Sequence, residues 1–164
     1  MVLVSVSGAR AAGSDRPGLP FHAAAAALFV ALAVYSTFPL VLRLSTAIPG
    51  GGAGDNVTSL WNFWWLSRTG PRAAFFSTDA LFFPFGTSLL LHTHTALPAL
   101  AGWTMLPFAN VTAAHNGVLL AGLAANGFVT HLLALRYARA WPSLAAGALV
   151  ATGRGSELFS TETG

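Results

Sequence analysis

Ala23-Ala24-Ala25-Ala26-Ala27-Leu28-Phe29-Val30-Ala31-Leu32-Ala33-Val34-Tyr35-Ser36-Thr37-Phe38-Pro39-Leu40-Val41-Leu42 decides the fold, because no side chain in it is charged. At about 1.5 Å per helical residue, such a run matches a hydrocarbon core of about 30 Å. The leucines, valines and phenylalanines from Leu28 onward outweigh the alanines and Pro39 in transfer to lipid. The run therefore reads as a membrane span over residues 22–43. A cleaved signal peptide is the competing reading, since Arg10 and Arg16 precede the run and small residues stand near Ser36. Apolar residues continue past Ser36, which favours an anchor.

Composition agrees. The chain has 164 residues, 54% of them hydrophobic and 8% charged, where a soluble domain carries about 25% charged residues. Mean hydropathy is +0.64. The formal charge of +3 comes from arginine alone, with no lysine, set against five acids. The arginines are scattered singly and form no basic stripe, which argues against nucleic acid as a partner. The lack of cysteine excludes disulfides, thiolate metal sites and cysteine nucleophiles.

The expected fold is an all-α integral membrane protein with two full transmembrane helices, a partial third, and interfacial helices in a long external loop. Residues 1–21 read as a cytoplasmic tail and 44–113 as the external loop, with interfacial helices near 56–68 and 96–108. Residues 114–135 form the second span, interrupted by Asn126 and His131, and 136–140 a cytoplasmic turn. Two crossings put Arg10 and Arg16 on the same side as Arg136 and Arg139, which the positive-inside rule assigns to the cytoplasm of a cell membrane. Arg43, Arg68 and Arg72 then lie outside, in a connection too long for that rule to govern. Leu89 to Phe108 is long enough to mislead, but His92, Thr93, His94, Thr95, Pro98 and Pro107 interrupt it. Residues 141–153 start a third apolar helix, with Pro142 in its first turn, that is too short to cross. Residues 154–164 are abruptly polar, and the expectation is a truncated or frameshifted product.

Within the loop, Gly54-Asp55-Asn56-Val57-Thr58-Ser59-Leu60-Trp61-Asn62-Phe63-Trp64-Trp65-Leu66 joins a carboxylate to the densest aromatic run in the chain. Asp55 follows a glycine-rich segment and occupies an N-cap position, with the helix starting at Asn56. Leu60, Trp61, Trp64 and Trp65 make one apolar face, and Asn56, Ser59 and Asn62 lie mostly opposite. Indole rings favour the headgroup level, so this helix should lie in the interface. A carboxylate oriented at a helix start can act as general base or metal ligand, which makes Asp55 the candidate catalytic residue and the candidate ligand of a divalent cation. Asp79, in Ser77-Thr78-Asp79-Ala80, reads as a turn residue.

His92 and His94 stand two apart, so they share a face only in an extended chain, and His92 is better read as a hydrogen-bond donor to a phosphate. Trp61 and Asn62 are the other candidate substrate-binding residues. His115 and His131 fall in or beside the second span, where a polar side chain most often pairs with a neighbouring helix. Phe82-Phe83-Pro84-Phe85-Gly86 reads as an aromatic-flanked turn. Asn56-Val57-Thr58 and Asn110-Val111-Thr112 satisfy the N-glycosylation acceptor pattern.

The order of these features carries a resemblance. An uncharged first span, Gly54-Asp55, Leu60 to Trp65, Phe83-Pro84-Phe85-Gly86-Thr87-Ser88-Leu89, His92-Thr93 and Ala114-His115-Asn116 opening a span together resemble the N-terminal part of large bacterial multi-pass proteins of the GT-C glycosyltransferase superfamily. Its YfhO-like and arabinosyl- or mannosyltransferase-like branches are the nearest in pattern, and the resemblance covers roughly residues 22–153. It implies a polyprenyl-phosphate-linked sugar as donor, membrane lipid as surroundings, and an acid in the first external loop at the transfer site. Asp55 is the residue that matches. The contrasting reading is a non-catalytic multi-pass subunit or a piece of a lipid transporter.

Overall fold

The computed structural model describes residues 17–50, 54–90 and 95–153, and these are mostly helical. Both polar tails, at 1–16 and 154–164, and the histidine pair at 92 and 94 lie outside the described residues.

Helix α1 (Leu19–Ser36) starts after Gly18 with Pro20 in its first turn, where a missing N–H leaves no helical bond unmade. It is 18 residues long with mean hydropathy 1.7. The span expected over 22–43 is thus displaced toward the N-terminus. Pro39 explains the early end: its ring would press on the carbonyl of Tyr35, and it has no N–H to donate. The N–H and Oγ1 of Thr37 both turn back to the Ala33 carbonyl, at 3.2 and 2.8 Å. A 3-10 turn (Leu40–Arg43) follows.

Helix α2 (Asp55–Thr69) is capped by Gly54. Gly54 has φ 88° and ψ −158°, a backbone region that essentially only glycine occupies. Asp55 is therefore the first helical residue, in the first turn, and the N-cap position expected for it falls to Gly54. After a 3-10 turn (Ala73–Phe76), strands β1 (Ser77–Thr78) and β2 (Thr87–Ser88) pair antiparallel, with Ser77 opposite Ser88. This short hairpin, with the aromatic turn at its tip, departs from the all-α expectation.

Helix α3 (Ala96–Trp103) has 8 residues and ends five residues short of the expected 96–108. Pro107 faces the carbonyl of Trp103, so the helix gives way to turns. Helix α4 (Val111–Ala134) has 24 residues, with mean hydropathy 1.6 over its most apolar 18, and its start is fixed by Asn110, which accepts from the Ala113 N–H at 2.8 Å. Helix α5 (Ala140–Gly153) closes the described chain. By length and composition α1 and α4 are each able to cross a membrane.

Helix α4 is the rail on which two clusters are built. Its N-terminal half packs Ala114 and Val118 against Phe63 and Leu66 of α2, Phe75, and Ala99 of α3. Its C-terminal half packs Ala124 and Phe128 with Ala25 and Phe29 of α1 and Ala151 of α5. At the α4–α5 crossing the backbones nearly touch. A Cβ added at Gly147 would lie 2.5 Å from the Gly127 carbonyl oxygen and 2.5 Å from Cζ of Phe29. Small residues at a helix crossing allow this approach, and Phe29 seals it from the third side.

Candidate functional site

Side chains from three helices converge on a groove of about 630 Å³ beside the N-terminal half of α4. Asn56 and Ser59 come from α2, Pro98 from α3, and His115 and Asn126 from α4. Phe63, Val118, Leu119 and Leu123 supply the apolar wall. Asn56 donates from Nδ2 to the Pro49 carbonyl at 3.1 Å, which ties Pro49 to the first turn of α2.

The polar side of α2 turns inward. Asn62 is fully buried and donates from Nδ2 to Oγ1 of Thr95 at 3.2 Å, and Ser59 lies 3.4 Å from the same hydroxyl. Trp64 is exposed instead, and Trp61 stacks flat on Trp65 with ring centres 5.9 Å apart and an interplanar angle of 3°. The buried residues of α2 are Asn62, Phe63 and Leu66, and Trp65 of the expected apolar face packs against the same cluster, because a mixed polar and apolar face fits the partners around it. Arg68 lies over Trp64, 5.4 Å from the ring centre.

His115 is buried edge-on against Phe63, with ring centres 5.1 Å apart, and its Nδ1 is 3.3 Å from Oδ1 of Asn116. Asn116 uses its amide hydrogens elsewhere, donating to the carbonyls of Leu44 at 2.8 Å and Ala47 at 2.7 Å. Its oxygen is then the acceptor, His115 carries its proton on Nδ1, and Nε2 is left as an acceptor.

Among the sequence candidates, Asp55 is exposed, one residue before the groove-lining Asn56. Trp61 and Asn62 share its helix, Asn62 on the inward face and Trp61 on the stacked aromatic one. His92 lies outside the described residues. Asp79 is exposed in the hairpin turn. No group of three or more His, Cys, Asp or Glu converges among the described residues, so Asp55 would bring a cation a single carboxylate from them.

Compared with protein-family models, with curated proteins and with solved structures, the chain matches none.

Chemically the groove offers amide, hydroxyl and imidazole groups, all able to hydrogen-bond without bringing a formal charge, above an apolar wall. That combination suits a ligand with a hydroxyl-rich head and a hydrocarbon tail. The groove residues other than Asn56 and Ser59 were not legible as a set. His115 and Asn126 are eleven residues apart, close to three helical turns, so one face holds both. That spacing was the available signal.

Proposed function

We propose that this chain carries the acid-bearing segment of a membrane enzyme that moves a sugar from a polyprenyl-phosphate donor to an extracytoplasmic acceptor. The observation that carries this reading is the amphiphilic groove beginning at Asn56, directly beside the exposed Asp55. Asn56, Ser59, His115 and Asn126 can hydrogen-bond sugar hydroxyls, and the apolar wall can take the first isoprenoid units. Asp55 would deprotonate the acceptor hydroxyl or hold a divalent cation at the diphosphate or phosphate ester.

Membrane insertion is supported by α1 and α4. In their most apolar 18-residue stretches only 17% and 22% of residues are buried within the chain, whereas a soluble-core helix is mostly buried. The arginine pairs flanking the two helices support a cytoplasmic N-terminus by the positive-inside rule, which would put Asp55 and α2 at the outer leaflet of the cell membrane.

The test is transfer of labelled sugar from a polyprenyl-phosphate donor in membranes containing the protein in its native setting. Loss of a general base removes typically 10²–10⁴-fold of rate, so Asp55→Asn should lower transfer by about 100-fold or more with insertion unchanged. Full activity of that variant would remove the catalytic role.

A second reading, a non-catalytic membrane subunit or lipid transporter segment, draws on a specific observation. Asn62, Asn116 and His131 all bond to neighbouring elements of the chain, as residues that merely join helices would. Lipid movement across vesicles without sugar transfer would favour it.

A further inference from the structure

Among the described residues, three buried side-chain nitrogens have no hydrogen-bond partner: Nδ1 of His22, Nε1 of Trp65 and Nε2 of His131. Two of the three belong to one junction, where α1 begins, α4 ends and α5 begins. The rings of His22 and His131 are centred 5.9 Å apart and tilted by 58°. Leaving two imidazole nitrogens unpaired at one junction is costly, and one ion between the rings would serve both.

Hydrogen bonding fixes what the open nitrogen of His131 offers. Ser143 donates its hydroxyl proton to the Ala140 carbonyl at 2.7 Å, so toward Nδ1 of His131, 3.0 Å away, its oxygen is the acceptor. His131 then holds its proton on Nδ1 and presents a lone pair at Nε2. This is the usual arrangement of a metal-binding histidine, whose second ring nitrogen donates to a fixed acceptor. Phe21, Phe29 and Phe128 surround the ring at 5.8, 5.9 and 6.2 Å between centres, which keeps water from competing for that lone pair.

We propose that His22 and His131 together bind a monovalent copper ion. With a metal–nitrogen distance of about 2.0–2.1 Å and roughly 1 Å more to each ring centre, two imidazoles on one ion have centres about 5 Å apart at the tetrahedral angle and about 6 Å apart when in line. The observed 5.9 Å lies toward the linear end. Two-coordinate monovalent copper takes that geometry, and zinc, which wants four ligands, does not. No third histidine or carboxylate joins the pair among the described residues, so oxygen-seeking magnesium or calcium is not served. The site is distinct from the groove: His131 is sixteen residues along α4 from His115, roughly 24 Å. It does not depend on the sugar-transfer reading.

The experiment is an anaerobic titration of the purified full chain with monovalent copper against a chromophoric chelator, in detergent and with monodispersity checked for every variant. One copper per chain should be withheld from the chelator. His22→Asn, at a half-buried position, should weaken binding at least 10-fold, and so should His131→Asn. Ser143→Ala, which removes only the group orienting His131, should weaken it about 10–100-fold. X-ray absorption on the wild-type complex should show two nitrogen scatterers, a readout that needs no variant. Binding unchanged in the His22→Asn/His131→Asn double variant, binding lost instead in His92→Asn/His94→Asn, or zinc held more tightly than copper would each overturn the proposal.

Discussion

Asn116 shows how a single side chain can join distant segments of this chain. Its amide donates to two carbonyls of the 44–47 turn, some seventy residues earlier, while its oxygen faces His115. Asn110 does likewise to Ser45, at 3.0 Å, and Asn56 to Pro49. Removing a buried donor strands its acceptors at about 1–3 kcal/mol. Asn116→Leu should therefore lower stability by about 2 kcal/mol and open the 44–47 turn to protease. Asn126→Ala, at an exposed groove position, should change stability by less than about 0.5 kcal/mol. Thermal unfolding in detergent compares the two, and equal effects would refute the stapling role. The glycosylation-like triplets at Asn56 and Asn110 thus have a plain structural use, which a pattern of three letters does not convey. At Asp55 the sequence expectation and the structure differ by one residue. Glycine-rich approach and carboxylate were both visible, but the conformation that begins the helix belongs to Gly54, since its backbone angles exclude other residues.

At the scale of elements, hydropathy located α1, α4 and α5, and proline explains most of the displaced ends. What hydropathy does not tell is which faces meet. The α4–α5 crossing was nonetheless legible in principle, because Gly147 and Ala151 stand four apart and form the small-residue spacing that lets helices approach in lipid. Gly147→Val should push α5 off α4, since even its first added carbon meets the Gly127 carbonyl and Phe29. Overpacking of this kind costs typically about 1–3 kcal/mol. Gly122→Val on the same rail meets nothing within 4 Å at Cβ and should leave stability unchanged. Unfolding midpoints of the two variants in one detergent decide the matter, and a harmless Gly147→Val would mean that the helices do not cross as described. The inward turn of α2 was the least legible feature. Three tryptophans outweigh two asparagines in any apolar count, yet the Thr95 hydroxyl just before α3 pairs with Asn62 and lets the asparagine side be buried.

For the molecule as a whole, the two clusters on α4 require that α2, α3 and the hairpin gather at one end of the rail and the α4–α5 turn at the other. If α1 and α4 both cross, residue 55 and residue 137 must face opposite aqueous phases, whatever the chemistry at either. On the proposed topology, the positive-inside rule applied to the arginine pairs at 10 and 16 and at 136 and 139 would assign the cytoplasm to the second of these. Because the chain has no cysteine, single cysteines report without background. Position 55 is exposed at the start of α2, and Tyr137 is 86% exposed just beyond α4. In intact cells a membrane-impermeant maleimide should label Asp55→Cys, and should label Tyr137→Cys only after permeabilisation. Labelling of both from outside would mean that one helix does not cross. Labelling of position 137 alone would invert the topology and carry the groove, with the sugar-transfer role proposed for it, to the cytoplasmic leaflet.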